Sequence, residues 1–291
     1  MRPAPPNPVP AAVVDRIVDL ALAEDVPCGD LTTEAFVPVH AQAQAQLRAR
    51  EPGVLSGGEV FARAMQTLDG DVAVKLLRAE GSRFGAGDLL AEVTGPARAI
   101  LTGERVGLNL VQRMSGIATL TAAFVEAVRG TGVRITDTRK TTPGLRALER
   151  YAVRCGGGHN HRFSLSDAVM VKDNHLAAVA AAGTGLAAAV REAKSRLQHT
   201  ALIEVEVDRM DQVLPALEGG AHTILLDNFG LDQMRQAVEL IAGRAVVEAS
   251  GGVSLETVGA MAVTGVDVIS VGALTHSARA LDLGLDFEVS P

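Results

Sequence analysis

The sequence predicts an α/β protein, a parallel α/β barrel preceded by a smaller α+β domain. Two observations carry this reading. From Val133 onward the apolar runs VRITDT, DAVMVKD, ALIEVEVD, HTILLDN, AVVEAS and DVISVGA recur, with helical stretches near 208–218, 231–242 and 254–264 between them. That alternation is the signature of repeated βα units. Nearly every run also ends in a polar or small residue: Asp137, Lys172, Glu206, Asp227, Ser250 and Gly272. In a βα barrel those ends share one face, and active sites are built there. Six runs are fewer than a closed barrel needs, so either a strand near Phe163–Leu165 is missed or the barrel is open.

The segment before Val133 has a different character. Val14, Ile17, Val18, Leu20 and Leu22 recur at helical spacing, which predicts a helix over Ala11–Glu24 after a loose proline-rich leader ending at Pro10. Residues 42–99 hold short β-prone pieces (AQLRAR, DVAVKLLRAE, DLLAEVTGPA) punctuated by glycines, with a helix near 58–68. Ile100–Arg129 reads as a long helical connection with a break near Ser115-Gly116.

Composition narrows the function classes. Hydrophobic residues make up 47% of the chain, enough for a real core, whereas aromatics make up 3%, too few for base-stacking platforms. A net charge of −7 also argues against a nucleic-acid partner, so the dense cations of the middle segment are a local feature. Cys28 and Cys155 form neither a disulfide framework nor a metal-binding spacing. With no signal-like or membrane-length apolar run, the chain reads as soluble and cytoplasmic.

Four constellations carry chemistry. In DTRKTTPGLR (137–146), Arg139 and Lys140 follow a strand and precede a turn, which places a bidentate fork and a mobile point charge on the functional rim. In CGGGHNHRFSLSDAVMVKDNH (155–175), His159, His161, Arg162 and Lys172 lie in one short stretch. The HxH pair is zinc-like, but Cys155 is too distant for a compact motif, and an anion pocket fits the cations better. Lys172 at the end of an apolar run is otherwise an awkward buried charge. In IEVEVD and ILLDN, Glu204 and Glu206 share a strand face and Asp227 ends the next strand. Glu206 and Asp227 are the functional pair, suited to Mg²⁺ shared with phosphate oxygens, and Glu204 lies deeper as a structural partner. Finally EASGGVS and SVGALTH put glycine turns after the last two strands, where barrels cradle phosphate, with Ser254 able to cap the following helix.

Taken in order, DTRKTTPGLR, GGGHNHR, VKDNH, EVEV, LLDN and SGG, with GERVGLNLVQRMSGIAT (103–119) and GDLTT (29–33) before them, closely resemble the quinolinate phosphoribosyltransferase family. The resemblance covers almost the whole chain. It implies an α/β-class fold: an N-terminal α/β sandwich domain over 1–118 and an open, roughly seven-stranded α/β barrel over 119–276. It also implies that the tail 277–291 packs on the first domain. The implied reaction moves phosphoribosyl from phosphoribosyl pyrophosphate to quinolinate with decarboxylation, in NAD biosynthesis. By matching motifs, quinolinate meets Arg139, His161, Arg162 and Lys172, with Thr138 beside them and Arg105 contributed by the partner subunit of a homodimer, itself able to form a hexamer. Lys140 faces the pyrophosphate, and Glu206 and Asp227 face Mg²⁺ and the ribose hydroxyls. Ser250, Gly251 and Gly252 with Val271, Gly272 and Ala273 hold the 5′-phosphate. A carrier domain and a Schiff-base aldolase are weaker alternatives: Lys75 lies inside an apolar run rather than at a hairpin tip, and a crowd of cations favours anion binding.

Overall fold

The computed structural model describes residues 7–289, so the first six residues of the leader lie outside it. The chain forms two compact units. One gathers residues 1–122, 141–157 and 274–291, and the other gathers 123–140 and 158–273. The segment 141–157, which the sequence places within the barrel domain, thus groups with the first unit.

The first unit opens with helices α1 (Ala11–Asp25) and α2 (Leu31–Phe36). The GDLTT motif explains the second: Asp30 caps α2 by accepting the Thr33 N–H at 3.0 Å and the Thr33 hydroxyl at 2.6 Å. Then come β1 (Gln42–Ala49), β2 (Gly53–Val54), α3 (Gly58–Leu68), β3 (Ala73–Leu76), β4 (Arg83–Phe84), β5 (Leu89–Pro96) and the long helix α4 (Ala97–Ala127). Strand β1 shows why its sequence QAQAQLRA works. Ala43, Ala45, Leu47 and Ala49 point into the core, while Gln42 and Gln44 face solvent. Phe61, Met65, Leu90, Ile100 and Val111 complete that core. Half-buried Glu80 accepts the Gly57 and Gly58 N–H groups at 2.9 and 2.7 Å, which satisfies the start of α3 from a distant part of the chain.

Beyond α4 the chain continues through β6 (Arg134–Thr136), α5 (Arg146–Cys155), β7 (Val169–Val171), α6 (Asp173–Ala181), α7 (Leu186–Arg196), β8 (Ile203–Val207) and α8 (Val213–Gly219). It ends with β9 (Thr223–Asp227), α9 (Leu231–Ile241), β10 (Val246–Ser250), α10 (Val258–Ala262), β11 (Val268–Ser270), α11 (Ala273–His276) and β12 (Leu283–Val289). Strand β12 returns to the first unit, whose antiparallel sheet runs β12-β1-β5-β3. In it Leu285 pairs with Leu47 and Leu283 with Ala49. In the second unit a six-stranded parallel sheet runs β6-β11-β10-β9-β8-β7. One face of the sheet is apolar, with Ile135, Ile203, Val205, Ile224, Leu226, Ala249 and Ile269 almost fully buried, and the alternating residues Glu206, Leu225 and Glu248 share the opposite face. This is the open α/β barrel.

Three expectations need correction. Phe163–Leu165 is not a strand; the extra strand position is a bridge between Thr136 and His159 on the outer side of β6. Helix α4 is continuous through Ser115-Gly116. Ser115 is buried and its hydroxyl accepts the Ser56 N–H and donates to the Ser56 carbonyl, at 3.1 and 3.0 Å. A Cβ on Gly116 would lie 1.9 Å from the Arg279 carbonyl oxygen, so this glycine permits close backbone approach rather than a break. Lastly, Ser254 does not cap α10. Its own N–H donates to Thr257 Oγ1 at 2.9 Å, and the helix begins only at Val258.

Buried Glu149 of α5 accepts from Arg113 of α4 at 2.8 Å and from the Thr142 N–H and hydroxyl at 3.0 and 2.8 Å. Arg113 also donates to the Ala278 carbonyl at 2.7 Å. This pair ties together the three stretches of the first unit. Gly116→Ala is expected to lower unfolding stability by about 1–3 kcal/mol, because the obstacle is backbone and cannot rotate away. Urea titration checks it, and an unchanged midpoint would show that α4 shifts at no cost.

Candidate active site

The C-terminal ends of the parallel strands surround a cavity of about 420 Å³. Thr138, Arg139 and Lys140 come from the loop after β6, His161 and Arg162 from the loop before β7, and Met170 and Lys172 from β7 and its end. Glu206, Leu225 and Asp227, Glu248 and Ser250, and Ser270 come from β8, β9, β10 and β11 respectively. The volume is in the range of small-molecule sites.

A hydrogen-bonded zipper puts the cations in place. The His159 N–H donates to the Ile135 carbonyl at 2.8 Å, and the Asp137 N–H donates to the His159 carbonyl at 3.2 Å. Fully buried Asp137 then accepts the Asn160 side-chain amide at 2.6 Å and the His161 N–H at 2.7 Å. Asp137 is therefore the anchor that lays the HNHR segment along β6. Arg162 donates to the Ala168 carbonyl at 2.9 Å and contacts Met170 Sδ at 3.5 Å. Burial, followed by the like charge of Arg139, lowers the Arg162 pKa. Two guanidiniums close enough to repel each other favour an anion that bridges them.

Lys172 Nζ donates to Glu206 Oε2 at 2.8 Å, so Lys172 balances a carboxylate here as well as facing the cavity. Glu206 pairs in register with Leu225, which puts Glu206 and Asp227 on the same face of neighbouring strands, one step apart diagonally. The Asn228 amide donates to Asp227 Oδ2 at 2.9 Å and fixes that carboxylate. Two hard-oxygen groups on one cavity wall fit a Mg²⁺ held jointly with phosphate oxygens.

Ser250 lines the cavity, and Gly251 and Gly252 follow with φ of +91° and +60°. A Cβ at Gly251 would meet Asn228 Oδ1 at 2.2 Å, so this turn requires glycine. At the end of β11 it is Ser270 that lines the cavity, whereas Val271, Gly272 and Ala273 do not. The Val271 N–H is committed to the Thr136 carbonyl at 2.9 Å, so it is not a free donor for phosphate. Arg105 sits exposed on α4 in the first unit and is not among the cavity residues.

His161 is held more tightly than a free cation would be. Its Nδ1 accepts the Arg162 N–H at 2.7 Å, and Nε2 lies 3.1 Å from Glu204 and 3.6 Å from Glu248. With Nδ1 accepting, Nε2 is the ring nitrogen placed to donate to Glu204. Burial opposes charging the ring, but the hydrogen bond to Glu204 and the charges of Glu204, Glu248 and Asp137 outweigh it and raise its pKa. Glu204 is thus a structural partner, as its depth in the strand implied.

Sequence reasoning missed Glu248. Burial, reinforced by the nearby Glu204 charge, pushes its carboxyl up to about 7, against the opposing pull of His161, a Ser270 hydrogen bond and Arg134. The signal was available, since an acid in the middle of the apolar run VVEA is as anomalous as the lysine ending VMVK.

Taken together, the fold and the cavity define an anion-handling enzyme of the α/β-barrel class, with cations and carboxylates converging on the C-terminal strand face. Residues 30–115 match the family model described as the N-terminal domain of quinolinate phosphoribosyl transferase, and residues 117–286 match its C-terminal domain. The chain is 48% identical over 272 residues to the nicotinate-nucleotide pyrophosphorylase [carboxylating] of Mycobacterium leprae, covering 91% of this chain and 94% of that one. It is 42% identical over 275 residues to the probable enzyme of the same name from Bacillus subtilis, covering 94% and 93%. The crystal structure of NadC from Streptococcus pyogenes superposes with a TM-score of 0.93 at 41% identity, covering 98% of this chain and 100% of that one. The chain belongs to the quinolinate phosphoribosyltransferase family.

The raised Glu248 carboxyl has a consequence for stability. Between about pH 4.5, its ordinary value, and about 7, the folded chain keeps a proton that the unfolded chain has lost. Stability therefore falls as pH rises through that window, and the penalty is complete above it. Glu248→Gln is expected to gain stability over wild type progressively across the window and to hold the gain above pH 7, as read by thermal melts. A difference that does not vary with pH would mean that Glu248 is ionised throughout.

Proposed function

We propose that this chain transfers the phosphoribosyl group of phosphoribosyl pyrophosphate to quinolinate with loss of CO₂, yielding nicotinate mononucleotide and pyrophosphate for NAD biosynthesis. The observation that carries the reading is the convergence of Arg139, Arg162 and Lys172 on one cavity that also holds Glu206 and Asp227. Quinolinate carries two carboxylates on a pyridine ring, and desolvating both requires several cations placed in advance.

Arg139, Arg162 and Lys172 hold the dicarboxylate and orient the ring nitrogen toward the ribose anomeric carbon. The nitrogen lone pair forms the new bond while the carbon–oxygen bond to pyrophosphate breaks with its electron pair. Positive charge builds on the ribose as that bond lengthens, and Glu206 and Asp227 stabilise it. Lys140, exposed at the rim after β6, meets the departing pyrophosphate. Glu206 and Asp227 would hold Mg²⁺, which when bound would neutralise charge on the pyrophosphate. Ser250 with the Gly251-Gly252 turn, together with Ser270, receives the 5′-phosphate. The ribosylated nitrogen is cationic, and its charge stabilises the electron pair left on the neighbouring carbon when CO₂ departs.

The working unit in this reading is a cytoplasmic homodimer, able to assemble further into a hexamer, in which the partner copy supplies Arg105. The exposure of Arg105 on α4 supports that role.

Arg139→Ala and Lys172→Ala are each expected to lower kcat/KM for quinolinate by about two to three decades while leaving the melting curve in place. Coupled detection of pyrophosphate and CO₂ checks this, and wild-type turnover in either variant would sink the assignment. Mixing the inactive Arg105→Ala and Lys172→Ala chains should restore activity to about one quarter of wild type, since a mixed dimer carries one intact site. Failure of mixing to rescue, with exchange of subunits verified, would place Arg105 outside the shared site. Removing Mg²⁺ with a chelator should abolish turnover and its return should restore it.

A further inference from the structure

The second half of this reaction needs a proton. When the bond between C2 of the ribosylated ring and its carboxyl carbon breaks, the electron pair stays on C2 in the plane of the ring, and CO₂ leaves. C2 must then gain a hydrogen. The cations of the pocket are poorly suited to give it. Arginine does not release its proton in proteins, and the Lys172 ammonium is engaged with Glu206 at 2.8 Å.

Glu248 has the properties that are missing elsewhere. It sits in the middle of β10, its backbone paired with Leu225 on one side and Val268 on the other, and its side chain lines the cavity while only 5% exposed. The Ser270 hydroxyl on β11 bonds its carboxyl group. The other oxygen, Oε1, is buried and has no hydrogen-bond partner. His161 Nε2 lies 3.6 Å from Oε1, beyond hydrogen-bond distance, and is directed instead at Glu204 at 3.1 Å. A buried carboxylate oxygen without a donor costs more than the neutral acid does, and the hydroxyl of the neutral acid is open to an acceptor brought by a ligand. Around it, Glu204 on β8 adds like charge, and His161 and Arg134 on β6 partly offset it.

We propose that Glu248 is the proton donor to C2 in the decarboxylation step, an inference that rests on the reaction assigned above. The balance is complete. The C2–carboxyl bond breaks, CO₂ departs, the O–H bond of Glu248 breaks, and C2–H forms. Glu248 is left as a carboxylate and regains its proton from water after the product leaves. Its neutral form is required for a second reason: a carboxylate beside the ring would oppose the carbanion that forms there. The apolar Met170 and Leu225 side chains line the same cavity, Leu225 as the in-register neighbour of Glu248, and an apolar wall favours loss of the charged carboxylate as neutral CO₂. With its carboxyl pushed up to about 7, Glu248 supplies a useful fraction of acid at neutral pH.

The test follows pyrophosphate, CO₂ and both nucleotides separately, using the full chain with quinolinate, phosphoribosyl pyrophosphate and Mg²⁺. Glu248→Gln keeps the shape and the Ser270 contact but cannot donate an acidic proton. The expected result is pyrophosphate release near the wild-type rate, with CO₂ release slowed by about a hundredfold and quinolinate mononucleotide accumulating. In wild type, CO₂ release per pyrophosphate should fall as pH rises through about 7, which a merely structural carboxyl would not produce. This second reading needs no variant, so it stands even if Glu248→Gln folds poorly. Equal CO₂ and pyrophosphate release in Glu248→Gln, or a wild-type ratio flat across that pH range, overturns the proposal. A wild-type chain that releases neither product from quinolinate overturns the reaction itself.

Discussion

The site depends on a repulsion that the fold holds in place. Arg139 is close enough to raise the cost of charging Arg162, and Lys172 faces the same cavity. Such an arrangement is costly without an anion and strongly attractive to one carrying two charges. The structure offsets the cost locally. Lys172 leans on Glu206, the Arg162 guanidinium bonds the Ala168 carbonyl, and Asp137 holds the HNHR segment with two short hydrogen bonds. Glu206 is therefore shared: it neutralises Lys172 here, and it is the carboxylate proposed to face ribose and Mg²⁺ when substrates are present.

Below the cations lies a second layer with different chemistry. His161, Glu204 and Glu248 bury one imidazole and two carboxyl groups together, and the arrangement holds because protons are shared out among them. The Arg162 N–H bond to Nδ1 fixes the tautomer, so His161 acts as a directed donor to Glu204 rather than as another mobile cation. Within this group of three side chains, Glu248 Oε1 is buried without a hydrogen-bond partner. The cavity thus separates two tasks, charge binding by the rim residues and proton supply by the floor.

Much of this was legible in the sequence because βα units impose a simple rule. Where apolar runs alternate with helices, the polar residue at each strand end belongs to a common face, and Arg139, Lys172, Glu206, Asp227 and Ser250 were found that way. The features that escaped were set by tertiary packing rather than by local pattern. Gly116 looks like a helix breaker until the Arg279 carbonyl is seen against it. The bridge at His159 has no strand-like sequence, because its pairing is dictated by Asp137 and Thr136 of β6 rather than by its own propensity. The amide of Val271 belongs to the sheet, which only the register of β11 beside β6 reveals. Glu248 was visible as an acid within an apolar strand, yet its meaning required knowing that Oε1 meets no donor.

In the proposed reaction the cation cluster meets two carboxylates rather than one. Calorimetric titration of the wild-type chain with quinolinate and with nicotinate, which lacks the second carboxylate, tests it most directly. A charge-assisted hydrogen bond in a desolvated site is worth about 1.5–3 kcal/mol, so quinolinate should bind roughly ten- to a hundredfold more tightly. Equal affinity for the two acids would contradict the account, because the second carboxylate would then find nothing in the pocket to meet it.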